Sequence, residues 1–254
     1  MKLNNNLNII FLCTFLFLFT SCGSGEDVNK NTIEDQPAKN MLYVLCDFST
    51  SIDAKETKAN ILNTAKDIFR NMPANTEYHF IPITGGPESD LFTGNSGEDE
   101  DAQDRYTNHI ANYAAYEKLL DDAYQSRKSD RSSIISAIES VSESLISLNR
   151  SSEKYGSINL LIISDMMECC KVNGIPFNLE KEQFDSSAAD QLINSWPKEK
   201  KFLSNANNLN ITVLFNSKAN QRYADIKGFW KKFFKTVGYT KDVPFVTSFD
   251  AKSL

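Results

Sequence analysis

Asp47-Phe48-Ser49-Thr50-Ser51 offers one carboxylate and two hydroxyls at alternate positions. Oxygen donors of this kind suit hard divalent cations such as Mg²⁺, Mn²⁺ or Ca²⁺. On a tight turn the three groups can converge on one ion. Alone the pattern is a weak signal, because Asp and Ser at the start of a helix also serve as N-caps. Other chemistry finds less support. The two histidines, His79 and His109, lack the neighbours of a Ser/His/Asp triad or a zinc site. No P-loop and no G-x-G-x-x-G occurs. The acidic stretch Glu98-Asp99-Glu100-Asp101 with Asp104 does not have EF-hand spacing and reads as a solvated loop.

The elements that must position these groups alternate between two periodicities. Met41–Cys46 is a continuous apolar run ending at Asp47, the pattern of a buried parallel strand. Asp53–Met72 has helical apolar spacing and stops at Pro73. Tyr78–Ile83 reads as a second strand, broken by Gly85-Gly86-Pro87. Residues 85–105 are polar and acidic and read as a loop or insertion. Ile110–Tyr124 looks helical. Ser133–Leu148 is a strongly amphipathic helix. Ile158–Ile163 is the most hydrophobic strand, and Asp165 follows it. Gln183–Leu203 reads as a helix with a break expected at Pro197. Ile211–Phe215 is a strand, Tyr223–Val237 a helix and Phe245–Phe249 a last short strand. This order implies an α/β fold, a doubly wound and mostly parallel sheet with helices on both faces. Such sheets bind ligands at the carboxyl ends of their strands. That rule selects the residues after Cys46 and those after Ile163. Met166, Met167 and Glu168 border the second place; they shape a partner surface there or cover the sheet edge.

Taken together, Asp47-x-Ser49-x-Ser51 after the first strand, the Asp130–Ile138 segment opening an amphipathic helix, and Ser164-Asp165 after a later strand resemble the von Willebrand factor A (vWA) domain. The part resembled is its metal-ion-dependent adhesion site, and the resemblance covers about residues 41–250. It implies that Asp47, Ser49, Ser51 and Asp165 are metal ligands. The family carries a Thr in the loop before the helix. Here that place falls on Ser132, with Ser133 as the neighbouring choice. Serine keeps the hydroxyl but loses the stiffness of a β-branched side chain, and its other reading is an N-cap. The mechanism implied is electrostatic. Two carboxylates leave a divalent ion incompletely neutralised, and an acidic side chain of a protein partner completes its shell. The chain is then a binding module and not an enzyme. An assembly subunit with a weak or vestigial metal site is the alternative. A Mg²⁺-dependent phosphoryl-transfer enzyme fits less well: a haloacid-dehalogenase type would want an acid where Ser49 stands, and Lys154 precedes its strand.

The 254 residues are 41% hydrophobic and 24% charged, enough for one globular domain with a large core. A net charge of −6 argues against a nucleic-acid surface. Lys198–Lys201 and Lys231, Lys232 and Lys235 read as solvated helix faces. Ile9–Phe19 is too short to span a bilayer and has the length of a signal-peptide core. Phe19-Thr20-Ser21-Cys22 resembles the lipobox of bacterial lipoproteins, although Leu is usual where Phe19 stands. A plain secretory signal is the other reading. The resemblance makes 1–21 a signal peptide, Cys22 the lipidated residue and 22–40 a flexible tether to a 41–254 domain. It places the chain in the bacterial cell envelope, held to a membrane and facing the periplasm or the outside. Cys46, Cys169 and Cys170 remain: a bridge from Cys46 to one of the pair, or buried free thiols.

Overall fold

The computed structural model describes residues 39–48, 55–84, 92–96, 114–122, 125, 132–149, 155–172, 175–179, 186–204, 208–215 and 223–249. All of them fall within one unit, Gln36–Leu254. In chain order the elements are β1 (Lys39–Asp47), α1 (Lys55–Asn71), β2 (Thr76–Ile83), β3 (Phe92–Asn95), α2 (residues 114–122), α3 (Ile134–Asn149) and β4 (Tyr155–Ser164). They continue with β5 (Cys169–Val172), β6 (Ile175–Asn178), α4 (Ser186–Ser195), β7 (Leu209–Phe215), α5 (Tyr223–Thr236) and β8 (Phe245–Val246).

Six strands form one sheet in the order β3-β2-β1-β4-β7-β8, and β5 and β6 form a separate two-stranded hairpin. Only β3 runs antiparallel in the large sheet; the β2–β1–β4–β7–β8 pairings are parallel. The sheet grows outward from β1 in both directions, which makes the fold doubly wound. The alternation of side chains along β1 builds both faces. Met41, Tyr43 and Leu45 face a core completed by α3, α4 and α5. Leu42, Val44 and Cys46 face a core completed by α1 and by Leu120 of α2. A strand covered twice must be apolar at every position, which is why MLYVLC carries no polar residue until Asp47.

Several boundaries differ from the sequence reading. Residues 85–105 are not all loop, because Phe92–Asn95 pairs with β2 as an edge strand. The hairpin of β5 and β6 was not foreseen; its strands have four residues each, and Pro176 breaks the pattern of the second. The helix expected over 183–203 ends at Ser195, before Pro197. Lys198–Lys201 are exposed on the turn that follows and not on a helix face. The last strand keeps only Phe245 and Val246. Cys46 is a buried free thiol, so it makes no bridge; burial, with the adjacent Asp47 carboxylate, raises its pKa far above the ordinary thiol range.

Candidate metal site

β1 ends at Asp47, whose neighbour in register on β2 is Ile83. On the other side Cys46 pairs with Ile163 of β4. The carboxyl ends of β2, β1 and β4 thus lie side by side, and the first turn of α3 is laid across them by hydrogen bonds. Ser133 donates its backbone N–H to the Thr84 carbonyl just past β2 (2.6 Å). Ile135 donates its backbone N–H to Glu168 Oε2 just past β4 (3.0 Å). Between these two attachments stands Asp47.

Asp47 is 1% exposed. A buried carboxylate requires hydrogen-bonding or cationic partners. One partner is the fully buried hydroxyl of Ser164, which donates to Asp47 Oδ2 at 2.6 Å. The same Ser164 Oγ accepts the Met166 N–H at 2.8 Å. The next residue, Asp165, is half-buried and accepts the Met167 N–H on Oδ1 at 3.0 Å.

The loop from Asp165 to Glu168 is fixed at nearly every peptide. Met166 has a φ of 59°, in the left-handed region that non-glycine residues seldom adopt. Its carbonyl accepts the Trp230 indole N–H from α5 (2.9 Å). The Glu168 carbonyl accepts the Leu179 N–H at the exit of the hairpin (2.8 Å). A strained conformation held from several sides is one mark of a preorganised site.

Two further groups belong here. Ser132 is fully buried, and its Oγ has no hydrogen-bond partner among the described residues. It is not the helix cap, because Ser133 holds that place: its carbonyl accepts the Ala137 N–H at 3.1 Å, the first bond of α3. The Ser133 hydroxyl donates to Ser136 Oγ at 2.8 Å. Glu168 is also fully buried. Its carboxylate caps the amides of Ile134 and Ile135, yet Oε1 has no hydrogen-bond partner among the described residues. Burial pushes the Glu168 carboxyl up to about 8, against the pull of those two amides, and the Asp47 and Glu139 carboxylates add to the rise.

Of the residues expected to bind metal, Asp47, Ser132 and Asp165 are placed at this end of the sheet. Ser49 and Ser51 lie outside the described residues, as does Cys22. The donor types suit a hard cation, with a buried carboxylate on Asp47, a second carboxylate on Asp165 and a buried Ser132 hydroxyl that has no partner among the described residues; among the described residues no group of three or more His, Cys, Asp or Glu is gathered to hold one. Sequence reasoning did not select Ser164 or Glu168.

No family model matches the chain, and no curated protein matches it. It is similar to the pilus adhesin SpaC of Lactobacillus rhamnosus GG in its open conformation, at 12% identity and a TM-score of 0.49, over 85% of this chain and 29% of that one. A von Willebrand factor type A structure from Catenulispora acidiphila matches at 10% identity and a TM-score of 0.40, over 69% of this chain and 33% of that one. An aerotolerance-related membrane protein from Bacteroides fragilis matches at 12% identity and a TM-score of 0.40, over 85% and 94% of the two chains. The chain therefore spans a third or less of the length of the first two structures. The class of the domain, a doubly wound α/β fold of vWA/Rossmann-like type, rests on its own strand order and register.

Proposed function

We propose that the domain is a divalent-metal-dependent binding module, displayed in the bacterial cell envelope by a lipid on Cys22, and not an enzyme. Asp47, Ser49, Ser51, Ser132 and Asp165 hold Mg²⁺, Mn²⁺ or Ca²⁺, and the ion recruits an acidic side chain of a protein partner. The observation that carries this reading is the buried, unpartnered Ser132 hydroxyl on a helix start tied across the ends of β2 and β4, with the buried Asp47 carboxylate at the end of β1 between them. Orphaned buried oxygens cost about 1–3 kcal/mol each, and a cation removes that cost. The chemistry the ion supplies is positive charge in a water-poor site, where a partner carboxylate makes a charge-assisted contact.

Isothermal titration of the purified chain with Mg²⁺, Mn²⁺ and Ca²⁺ tests the reading. Saturable binding by wild type that Asp47→Ala abolishes is the expected result. Wild type that binds none of the three ions sinks the claim of a preformed site.

A second reading, an assembly module with a weak site, is favoured by one observation. Asp165 Oδ1 is already engaged by the Met167 N–H. Partner capture that persists unchanged in EDTA decides for this second reading.

A further inference from the structure

We propose that Trp230 of α5 is the positioning residue of the candidate site: it pins one turn, at Met166, whose two amides set the Asp47 and Asp165 carboxylates. The consequence for the ion rests on the metal-site reading above; the geometry of the turn stands without it.

The connections run through two adjacent peptide groups. The first joins Asp165 to Met166. Its N–H donates to Ser164 Oγ at 2.8 Å, and the Ser164 hydroxyl donates in turn to Asp47 Oδ2 at 2.6 Å. A hydroxyl has one proton to give, so the Met166 N–H on its lone pair leaves that proton aimed at Asp47. The second peptide joins Met166 to Met167. Its N–H donates to Asp165 Oδ1 at 3.0 Å, and its carbonyl accepts the Trp230 indole N–H at 2.9 Å. A peptide group is a rigid plane. Trp230 therefore grips at the oxygen end the same plane that holds Asp165 at the nitrogen end.

The hinge between the two planes is Met166, with its left-handed φ of 59°. Such a conformation persists only where its surroundings over-determine it. Met166 is fully buried in the same core as Trp230, so its carbonyl needs a donor from the protein, and the indole supplies one. Without the indole N–H the carbonyl must turn to find another donor. That rotation carries the Met167 N–H away from Asp165 and disturbs the Met166 N–H on Ser164. Trp230 is itself fixed: it is fully buried, with the Phe229 and Phe233 rings edge-on at 5.3 and 5.4 Å. Trp196 supplies the contrast. It lies in the same core and its indole N–H donates to the Lys200 carbonyl at 3.0 Å, but the turn it closes carries no candidate ligand. Hydrogen bonds behind a ligand commonly govern metal affinity, and here they come from a helix that contributes no candidate ligand.

The test combines amide hydrogen exchange of the metal-free chain with Mn²⁺ titration, on wild type, Trp230→Phe, Trp196→Phe and Ser164→Ala. Trp230→Phe keeps an aromatic ring and removes the indole N–H; Trp196→Phe makes the same change away from the turn. In Trp230→Phe the Met166 and Met167 amides should exchange faster while those of β4 keep their protection, and Mn²⁺ affinity should fall roughly tenfold or more. Trp196→Phe should match wild type in both. Turn amides that keep wild-type exchange in Trp230→Phe overturn the proposal, and so does an equal loss of affinity in the two Phe variants, which would make affinity follow core packing alone. Faster turn exchange with wild-type affinity overturns the consequence for the ion. Wild type that binds no Mn²⁺ overturns the metal reading, and the exchange data then decide the turn by themselves. Should Trp230→Phe fail to fold, Ser164→Ala reads the connection from its other end: the Trp230 indole N–H resonance should move and that of Trp196 should not. An unmoved Trp230 resonance overturns the proposal.

Discussion

Ser132 and Glu77 show how differently two polar side chains can be used in one domain. The Ser132 hydroxyl is buried with no hydrogen-bond partner among the described residues, so it does nothing for the fold in the absence of an ion. Ser132→Ala is therefore expected to leave the melting temperature in EDTA unchanged or raise it, because an unsatisfied polar group is removed. A capping serine would instead lose about 1 kcal/mol on the same change. The stabilisation gained on adding Mg²⁺ should shrink in the variant. A calorimetric scan with and without the ion checks both halves. Glu77 is the opposite case. It takes Lys39 Nζ at 2.6 Å, the Tyr155 hydroxyl at 3.1 Å and His79 Nε2 at 3.3 Å, tying β1, β2 and β4 together. Partial burial raises its carboxyl, but the bonds from Lys39, Tyr155 and His79 outweigh that and hold it below the ordinary carboxylate range. A lowered pKa means that the folded state binds its proton less readily than the unfolded state. The stabilisation is present above the unfolded carboxyl range and is lost as pH falls through the folded value. Glu77→Gln should thus lower the urea midpoint at pH 7 and lower it progressively less toward pH 3. An equal loss at both pH values would refute the assignment.

At the scale of elements, the end of α5 sets a clear test. The Tyr239 N–H bonds to the Phe234 carbonyl at 2.9 Å and the Gly238 N–H to the Lys235 carbonyl at 3.1 Å. This is a Schellman ending, with the Phe234 and Tyr239 rings in contact across it. Gly238 has a φ of 97°, and a Cβ there would come within 3.0 Å of the Ser204 backbone. Gly238→Ala should cost about 1–3 kcal/mol by chemical denaturation. Values near zero would mean that the turn relaxes freely. A second glycine tests the edge of the sheet. A Cβ on Gly94 of β3 would run into the Tyr78 ring and the Tyr116 hydroxyl of α2. Gly94→Ala should lower stability by about 1–3 kcal/mol through overpacking, read as a shift in melting temperature. These elements also mark what a sequence can reveal. β1, β4, α3 and α5 were legible because burial on both faces, or on one stripe, writes a period into long segments. β3, β5 and β6 were not, since four residues carry too little period. Within the site, Asp47 and Asp165 were legible as acids at the ends of apolar strands. Glu168 was not, because only the left-handed turn at Met166 and the start of α3 bring it inward, and neither leaves a spacing in the sequence.

At the scale of the whole molecule, the chain enters the sheet at one end of β1 and the candidate site lies at the other. β1 begins at Lys39 and ends at Asp47, nine residues. Eight steps of about 3.3 Å put roughly 26 Å between the chain's entry into the sheet and Asp47. Among the described residues no helix is long and apolar enough to cross a membrane. In the proposed envelope location the anchor is the lipid on Cys22, before β1. If so, attachment and ion binding are separable: one depends on a residue before β1, the other on groups past its far end. Cells fed an alkyne-tagged fatty acid should label the wild-type chain, and Cys22→Ser should lose both the label and membrane fractionation. The same variant, purified, should bind Mg²⁺ with the affinity of wild type. Label retained in Cys22→Ser would sink the lipid site while leaving the metal site untouched. Loss of ion binding in that variant would mean that the first residues contribute to the site, and the separation argued from the length of β1 would fail.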